Sequence, residues 1–260
     1  MAPESRPGGS SPSVTPVSVI SKLVAILEAF DDSAPCMTLS DLSRRTGIPV
    51  STVHRLVREL VAWGGLERDD KGRYAIGLRL WEIGSLCTRG PGLREAAMPF
   101  IEDLYEATHE NVQLAVLEGD QALYVERISG RHAVPVISRS GGRLPAYAAG
   151  VGIALLAHAP AEVQERILAS PLRRLTPKTL TEPQQLRRAF AEVRRTGVAI
   201  CNGYIDLESL SVAAPVFGPG RQVVAALSIV VPSEGTNPQI YVPAVLAAAH
   251  GISRVLGQAR

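Results

Sequence analysis

TLSDLSRRTGIPVSTVHRLVREL, Thr38 to Leu60, carries two short helical patterns on either side of a tight turn. Thr38 stands where an N-cap belongs, since its side-chain oxygen can accept from the free N–H groups of a helix start, and the helix then runs Leu39 to Thr46. Gly47, Ile48 and Pro49 make the turn. In the next helix Val53, Leu56, Val57 and Leu60 recur at steps of three and four, so they form the buried stripe. The same period leaves Ser51, Thr52, His54, Arg55, Arg58 and Glu59 on the outward face.

Working outward, Ile20, Leu23, Val24, Leu27 and Phe30 predict a preceding amphipathic helix that ends at Asp31, Asp32 and Pro35. On the other side Leu66 to Arg68 and Arg73 to Ile76 flank a polar turn, Asp69 to Gly72, and read as a hairpin. Three helices followed by a small hairpin are a winged helix-turn-helix, placed at 17–78. Its outward helix face suits a major groove. Arg55 is the choice for base readout, because a guanidinium donates two parallel hydrogen bonds to guanine. Ser51, Thr52, His54 and Arg58 share that face, and Thr38 is counted with them at the groove. Arg44 and Arg45 at the end of the second helix, with Lys71 and Arg73 on the wing, are placed for phosphates, which set register and affinity.

The chain has 260 residues with 27 basic and 25 acidic side chains, so its net charge of +2 gives no global field for a polyanion and any nucleic-acid contact must be local. Residues 1–16 are rich in Ser, Pro and Gly and read as a disordered tail. Neither an apolar leader nor a run of about 18 apolar residues is evident, so a cytoplasmic protein without membrane attachment is expected. Cys36, Cys87 and Cys201 are too few and too scattered for a disulfide framework. His54, His109, His132, His158 and His250 lack ligand spacing, and no metal or cofactor is expected.

Leu78, Leu80, Trp81 and Ile83 predict a linker helix over 79–92, broken near Gly90, Pro91 and Gly92. The second domain, 93–260, opens with a helix from Leu93 to Thr108. Strands are predicted at Val112–Leu117, Ala122–Ile128, Val134–Ser138, Val198–Asn202, Ser211–Phe217 and Gln222–Val231. Helices are predicted at Ala148–His158, Thr181–Arg195 and Ile240–Leu256. Helices gathered round a largely antiparallel sheet give an α+β fold.

Three blocks resemble the IclR family of bacterial regulators, and the likeness runs from Val17 to the end: Thr38 to Gly84, LPAYAAGVGIALLAHAP (Leu144 to Pro160), and SVAAPVFGPGRQVVAALSIVVP (Ser211 to Pro232). The resemblance implies a GAF- or PAS-like effector-binding domain behind the winged helix. It also implies dimers formed through the DNA-binding domains, often tetramers, and small effectors that are frequently carboxylic or aromatic acids. Members usually repress, and some activate.

By that likeness the effector pocket lies at Ala149, Gly150, Val151 and Gly152, where the glycines either admit a ligand to the backbone or let the helix pack tightly. N–H groups at the helix start favour an anion. The acidic position of many relatives falls on Cys201, followed by Asn202, with Asp206 and Glu208 nearby. Ser211 and Ser228 match pocket-lining positions, and Val230 replaces a second serine, so a more apolar pocket is expected. Cys201 reads as an inert buried thiol. No G-x-S-x-G elbow, P-loop or Cys/His cluster supplies a nucleophile and base, so an enzyme is not expected. The expected working form is a symmetric dimer on a near-palindromic operator of double-stranded DNA, its two recognition helices about 34 Å apart.

Overall fold

The computed structural model describes residues 18–31, 33–87, 91–131 and 133–258, which fall into two units, Met1–Cys87 and Thr88–Arg260. The tail at 1–16, Asp32, the linker residues 88–90 and His132 lie outside the described residues.

In the first unit α1 (Val19–Glu28), α2 (Leu39–Thr46) and α3 (Val50–Trp63) pack around Ile26, Leu42, Val53, Leu56 and Val57. Thr38 caps α2 reciprocally with Asp41: it accepts from the Asp41 N–H at 3.2 Å, and its hydroxyl donates to the Asp41 carboxylate at 2.7 Å. Gly47 ends α2 at φ 70°, a left-handed conformation that glycine adopts without a Cβ clash. The Ser43 hydroxyl donates to the Ile48 carbonyl at 2.6 Å and fixes the turn into α3. β2 (Leu66–Arg68) and β3 (Tyr74–Ile76) form the predicted hairpin. β1 (Cys36–Met37), too short to read from pattern, adds a third strand against β3. α4 (Leu78–Ser85) follows and ends earlier than the 79–92 expected of the linker.

The stripe predicted on α1 needs correction. Ile20 and Val24 are exposed, and the buried residue is Ile26. The inward face reads Leu23, Ile26, Leu27, Phe30, which is also a three- and four-residue progression but shifted around the helix.

The second unit is built on one antiparallel six-stranded sheet in the order β6-β5-β4-β9-β8-β7: β4 (Asn111–Glu118), β5 (Gln121–Ile128), β6 (Arg143–Pro145), β7 (Ala199–Asn202), β8 (Ser209–Phe217) and β9 (Val223–Pro232). Strand alternation divides its side chains. Val112, Leu114, Leu210, Val212, Leu227 and Ile229 meet α5 (Pro91–Thr108) and α9 (Val242–Gln258) on one face. The opposite face carries smaller residues, Ala115, Ala213 and Ala226, beneath α6 (Gly150–Leu156), α7 (Ala161–Leu168) and α8 (Pro183–Thr196). That small-residue surface leaves room beside α6.

Three readings differ from this arrangement. Val134–Ser138 is not a strand: Pro135 offers no N–H, and the segment's carbonyls are taken by side chains instead. The edge strand is β6, positioned by the Gly141 N–H to Tyr124 carbonyl bond at 2.8 Å. α7 was not predicted. The 21-residue stretch Pro238–Gln258 has the length and hydropathy of a membrane span, contrary to expectation; its Val245, Ala249 and Ile252 pack into the sheet core, and most of the stretch is not buried.

Candidate DNA interface and ligand cavity

On α3 Val53, Leu56 and Val57 are fully buried, which rotates Ser51, His54, Arg55, Arg58 and Glu59 outward, with Thr52 half-buried. Arg55 pairs with Glu59 one turn on at 3.2 Å. Other outward arginines of the unit are also held by acids: Arg44 by Asp41 at 2.6 Å, Arg45 by Asp31, and Arg73 by Asp69 at 2.8 Å. These bonds help keep the three aspartates below the usual carboxylate range. The first cause is the Ser33 hydroxyl at Asp31, the Thr38 hydroxyl at Asp41 and the Arg73 N–H at Asp69. Exposed pairs of this kind are weak and yield readily to a phosphate. Arg58 and Lys71 make no ion pair among the described residues. Thr38 is half-buried, and its hydroxyl is engaged in the α2 cap, so the structure gives it a positioning role at the start of α2.

The second unit holds a narrow cavity, open to solvent, between the small-residue face of the sheet and the start of α6. Ala149, Gly150, Val151, Cys201, Ser211, Ser228 and Val230 line it, as the sequence suggests. Gly152 does not: a Cβ there would lie 2.1 Å from the Ala146 carbonyl oxygen, so the second glycine exists for packing. Asn202 does not either. It follows Cys201 on β7 and points the other way, accepting from Lys178 Nζ at 3.1 Å and Ser233 Oγ at 2.9 Å. Of the two nearby acids, Asp206 reaches the lining, with its carboxylate occupied by the Glu208 N–H and the Ser209 hydroxyl; Glu208 does not reach it.

Sequence reasoning missed Gln113, Tyr124, Ser138 and Tyr204 in the wall. A signal for Gln113 was present: Asn111 and Gln113 are polar at alternate positions of an otherwise apolar strand and fully buried. Both hold the 133–142 segment over the cavity. Asn111 Nδ2 donates to the Val134 carbonyl at 2.8 Å, and Gln113 Nε2 to the Ser138 hydroxyl at 2.7 Å. Arg127 on β5 donates to the Ser138 carbonyl at 2.6 Å.

Among the described residues the lining is neutral apart from Asp206 and contains no basic side chain. Burial pushes the Cys201 thiol up to about 12, so it stays protonated and unreactive. Burial, with Cys201 adjacent, raises Tyr124 strongly and Tyr204 to about 12, which leaves two neutral phenols as donors. The Ser228 hydroxyl is 1% exposed and has no hydrogen-bond partner among the described residues. Such a group costs on the order of 1–3 kcal/mol unless something enters to pair with it.

A winged helix with a cationic outward face, joined in one chain to a unit with a small open cavity, has the parts of a ligand-responsive DNA-binding regulator. The chain belongs to the IclR family: residues 19–70 match the IclR helix-turn-helix domain and 87–254 the bacterial transcriptional regulator IclR C-terminal domain. It is similar to the HTH-type transcriptional regulator KipR of Bacillus subtilis (strain 168), 33% identical over 209 residues covering 80% of this chain and 83% of the relative. It is also similar to the HTH-type transcriptional repressor AllR of Klebsiella pneumoniae, 30% identical over 258 residues covering 97% and 95%. Among solved structures, an IclR homolog from Microbacterium hydrocarbonoxydans complexed with 4-hydroxybenzoate matches at TM-score 0.88 and 38% identity, covering 93% of this chain and all of that one. The protein is therefore a DNA-binding transcriptional regulator with an effector-binding domain, and its family consists of regulators, not enzymes.

Proposed function

We propose that this regulator is a repressor that grips a near-palindromic operator as a dimer and lets go when a small aromatic carboxylic acid fills the cavity. The observation that carries the ligand reading is the unpaired, buried Ser228 hydroxyl in a wall of neutral donors and apolar surface. Tyr124, Leu144, Val136 and Val230 offer flat and branched surface to a ring. Ser211 and the N–H groups of Gly150 and Val151, which a helix start leaves free, offer donors to a carboxylate. The homolog complexed with 4-hydroxybenzoate supports the same class.

On the DNA side Arg55 is assigned to base readout, with Ser51, Thr52, His54 and Arg58 beside it; Arg44, Arg45, Lys71 and Arg73 are assigned to phosphates. The dimer is supported by exposed apolar residues on two helices of the first unit: Ile20 and Val24 on α1, and Leu78 and Trp81 on α4, Trp81 being 70% exposed. A regulator bound to the chromosome works in the cytoplasm.

Footprinting of the purified protein on DNA upstream of its own and adjacent divergent genes tests the reading. Protection of a near-palindromic site, relieved by aromatic acids, is the expected result. Protection that no acid relieves would remove the effector class, and no protection with or without a metabolite mixture would remove the operator reading.

A further inference from the structure

The charge of this regulator is not where its winged helix is. The first unit, Met1–Cys87, has ten basic and ten acidic side chains and so no net charge. In the second unit the stretch 161–196, which contains α7 and α8, has eight basic side chains against four acidic, and the remainder of that unit has nine against eleven. The positive excess of the whole chain therefore sits on one helical layer. α8 concentrates it. Leu186, Phe190 and Val193 are buried, so the helical period turns Arg187, Arg188, Arg194 and Arg195 out to solvent. Arg188 and Arg195 are seven residues apart, which places them on one ridge about 10.5 Å apart along the axis, with exposed Ala191 beside them. Arg188 and, on α7, Arg166 are exposed and make no ion pair among the described residues. The others are partly engaged: Arg187 with Glu165 of α7 at 2.6 Å, Arg195 with Glu192, and Arg194 with the Ala157 carbonyl at 2.8 Å.

What this face can hold follows from what it lacks. Protein interfaces are centred on large apolar or aromatic anchors. None of the large apolar side chains left exposed lies between 161 and 196. A row of arginines over small residues suits a line of phosphates instead, since a guanidinium meets a phosphate with two parallel hydrogen bonds. We infer that the outer face of α8, with Arg188 and Arg195 on its ridge, is a second surface for duplex DNA, one that holds phosphates and reads no bases. It depends on neither the operator nor the effector proposed above. Its contribution is the sequence-independent attraction that the net charge of the first unit does not supply.

The test is binding of the full chain to a random-sequence duplex over a series of salt concentrations. Each phosphate contact adds about 0.9 to the slope of log affinity against log salt. Arg188→Gln is expected to lower that slope by about 0.9. Arg254→Gln removes the same charge from α9, on the opposite face of the sheet, and should leave the slope nearly unchanged. Glu192→Gln frees Arg195 from its acid and should tighten binding at low salt about two- to fivefold, the range an exposed ion pair allows. All three positions are exposed, so the variants keep the fold, and melting curves check that they do. Equal slopes for Arg188→Gln and Arg254→Gln, or a Glu192→Gln protein that binds no tighter, overturn the assignment and leave the face to an acidic protein partner. A full chain with no affinity for random duplex at low salt overturns it as well.

Discussion

Arg55 is the outward residue of α3 best suited to read a base, and in the free protein its guanidinium rests on Glu59 at 3.2 Å. Replacing it with Ala is expected to weaken operator binding by about 1 to 3 kcal/mol and to relax preference at one base pair. Lys71→Ala on the wing should weaken all sequences alike and reduce the dependence of affinity on salt. Binding titrations against single-base operator variants separate the two outcomes, and an Arg55→Ala protein with unaltered preference takes that residue out of the reading role. Asn202 shows how finely a site can be misjudged at this scale: one step along β7 from Cys201, it belongs to another environment altogether.

At the scale of elements, α6 shows two glycines with different duties. Gly152→Ala drives a methyl into the Ala146 backbone, which cannot move aside, and should lower stability by about 1 to 3 kcal/mol or more. In Gly150→Ala the added carbon meets the Ser211 hydroxyl at 2.4 Å, which can rotate, and the Ser211 Cβ at 2.9 Å, which must give by a few tenths of an ångström. The second variant should lose less stability than Gly152→Ala and lose effector affinity. Thermal denaturation beside ligand titration checks both, and equal melting losses would contradict the division of roles. The winged helix was legible in sequence because caps, helical period and turn residues agree at Thr38, Gly47 and Leu56. Less legible were elements whose existence depends on distant partners. β1 is two residues long and exists through its pairing with β3, and β6 depends on the Tyr124 bonds to Gly141 and Gly142. The Val134–Ser138 segment has a strand-like composition, but its carbonyls go to Asn111 and Arg127. Likewise the glycine-opened helix and inward serines of the cavity follow a local pattern, whereas the Gln113 and Tyr124 contributions follow from strand register.

For the whole molecule, the proposed release mechanism makes DNA and effector compete through one free energy. If an acid lowers operator affinity by some factor, operator DNA must lower acid affinity by the same factor. Calorimetric titration of effector into the protein with and without saturating operator should show that equality, and identical affinities would break the link. The self-paired arginines of the first unit bear on another property of the intact regulator. With Arg44, Arg45, Arg55 and Arg73 each already facing an acid, random duplex must displace an internal partner at every such contact and leaves a carboxylate beside the phosphates. Each such pair contributes no more than about 1 kcal/mol, so the displacement weakens phosphate contacts on every sequence alike. A regulator so discounted on all duplex is expected to leave irrelevant chromosome sooner, while its operator is distinguished by the base contacts of α3.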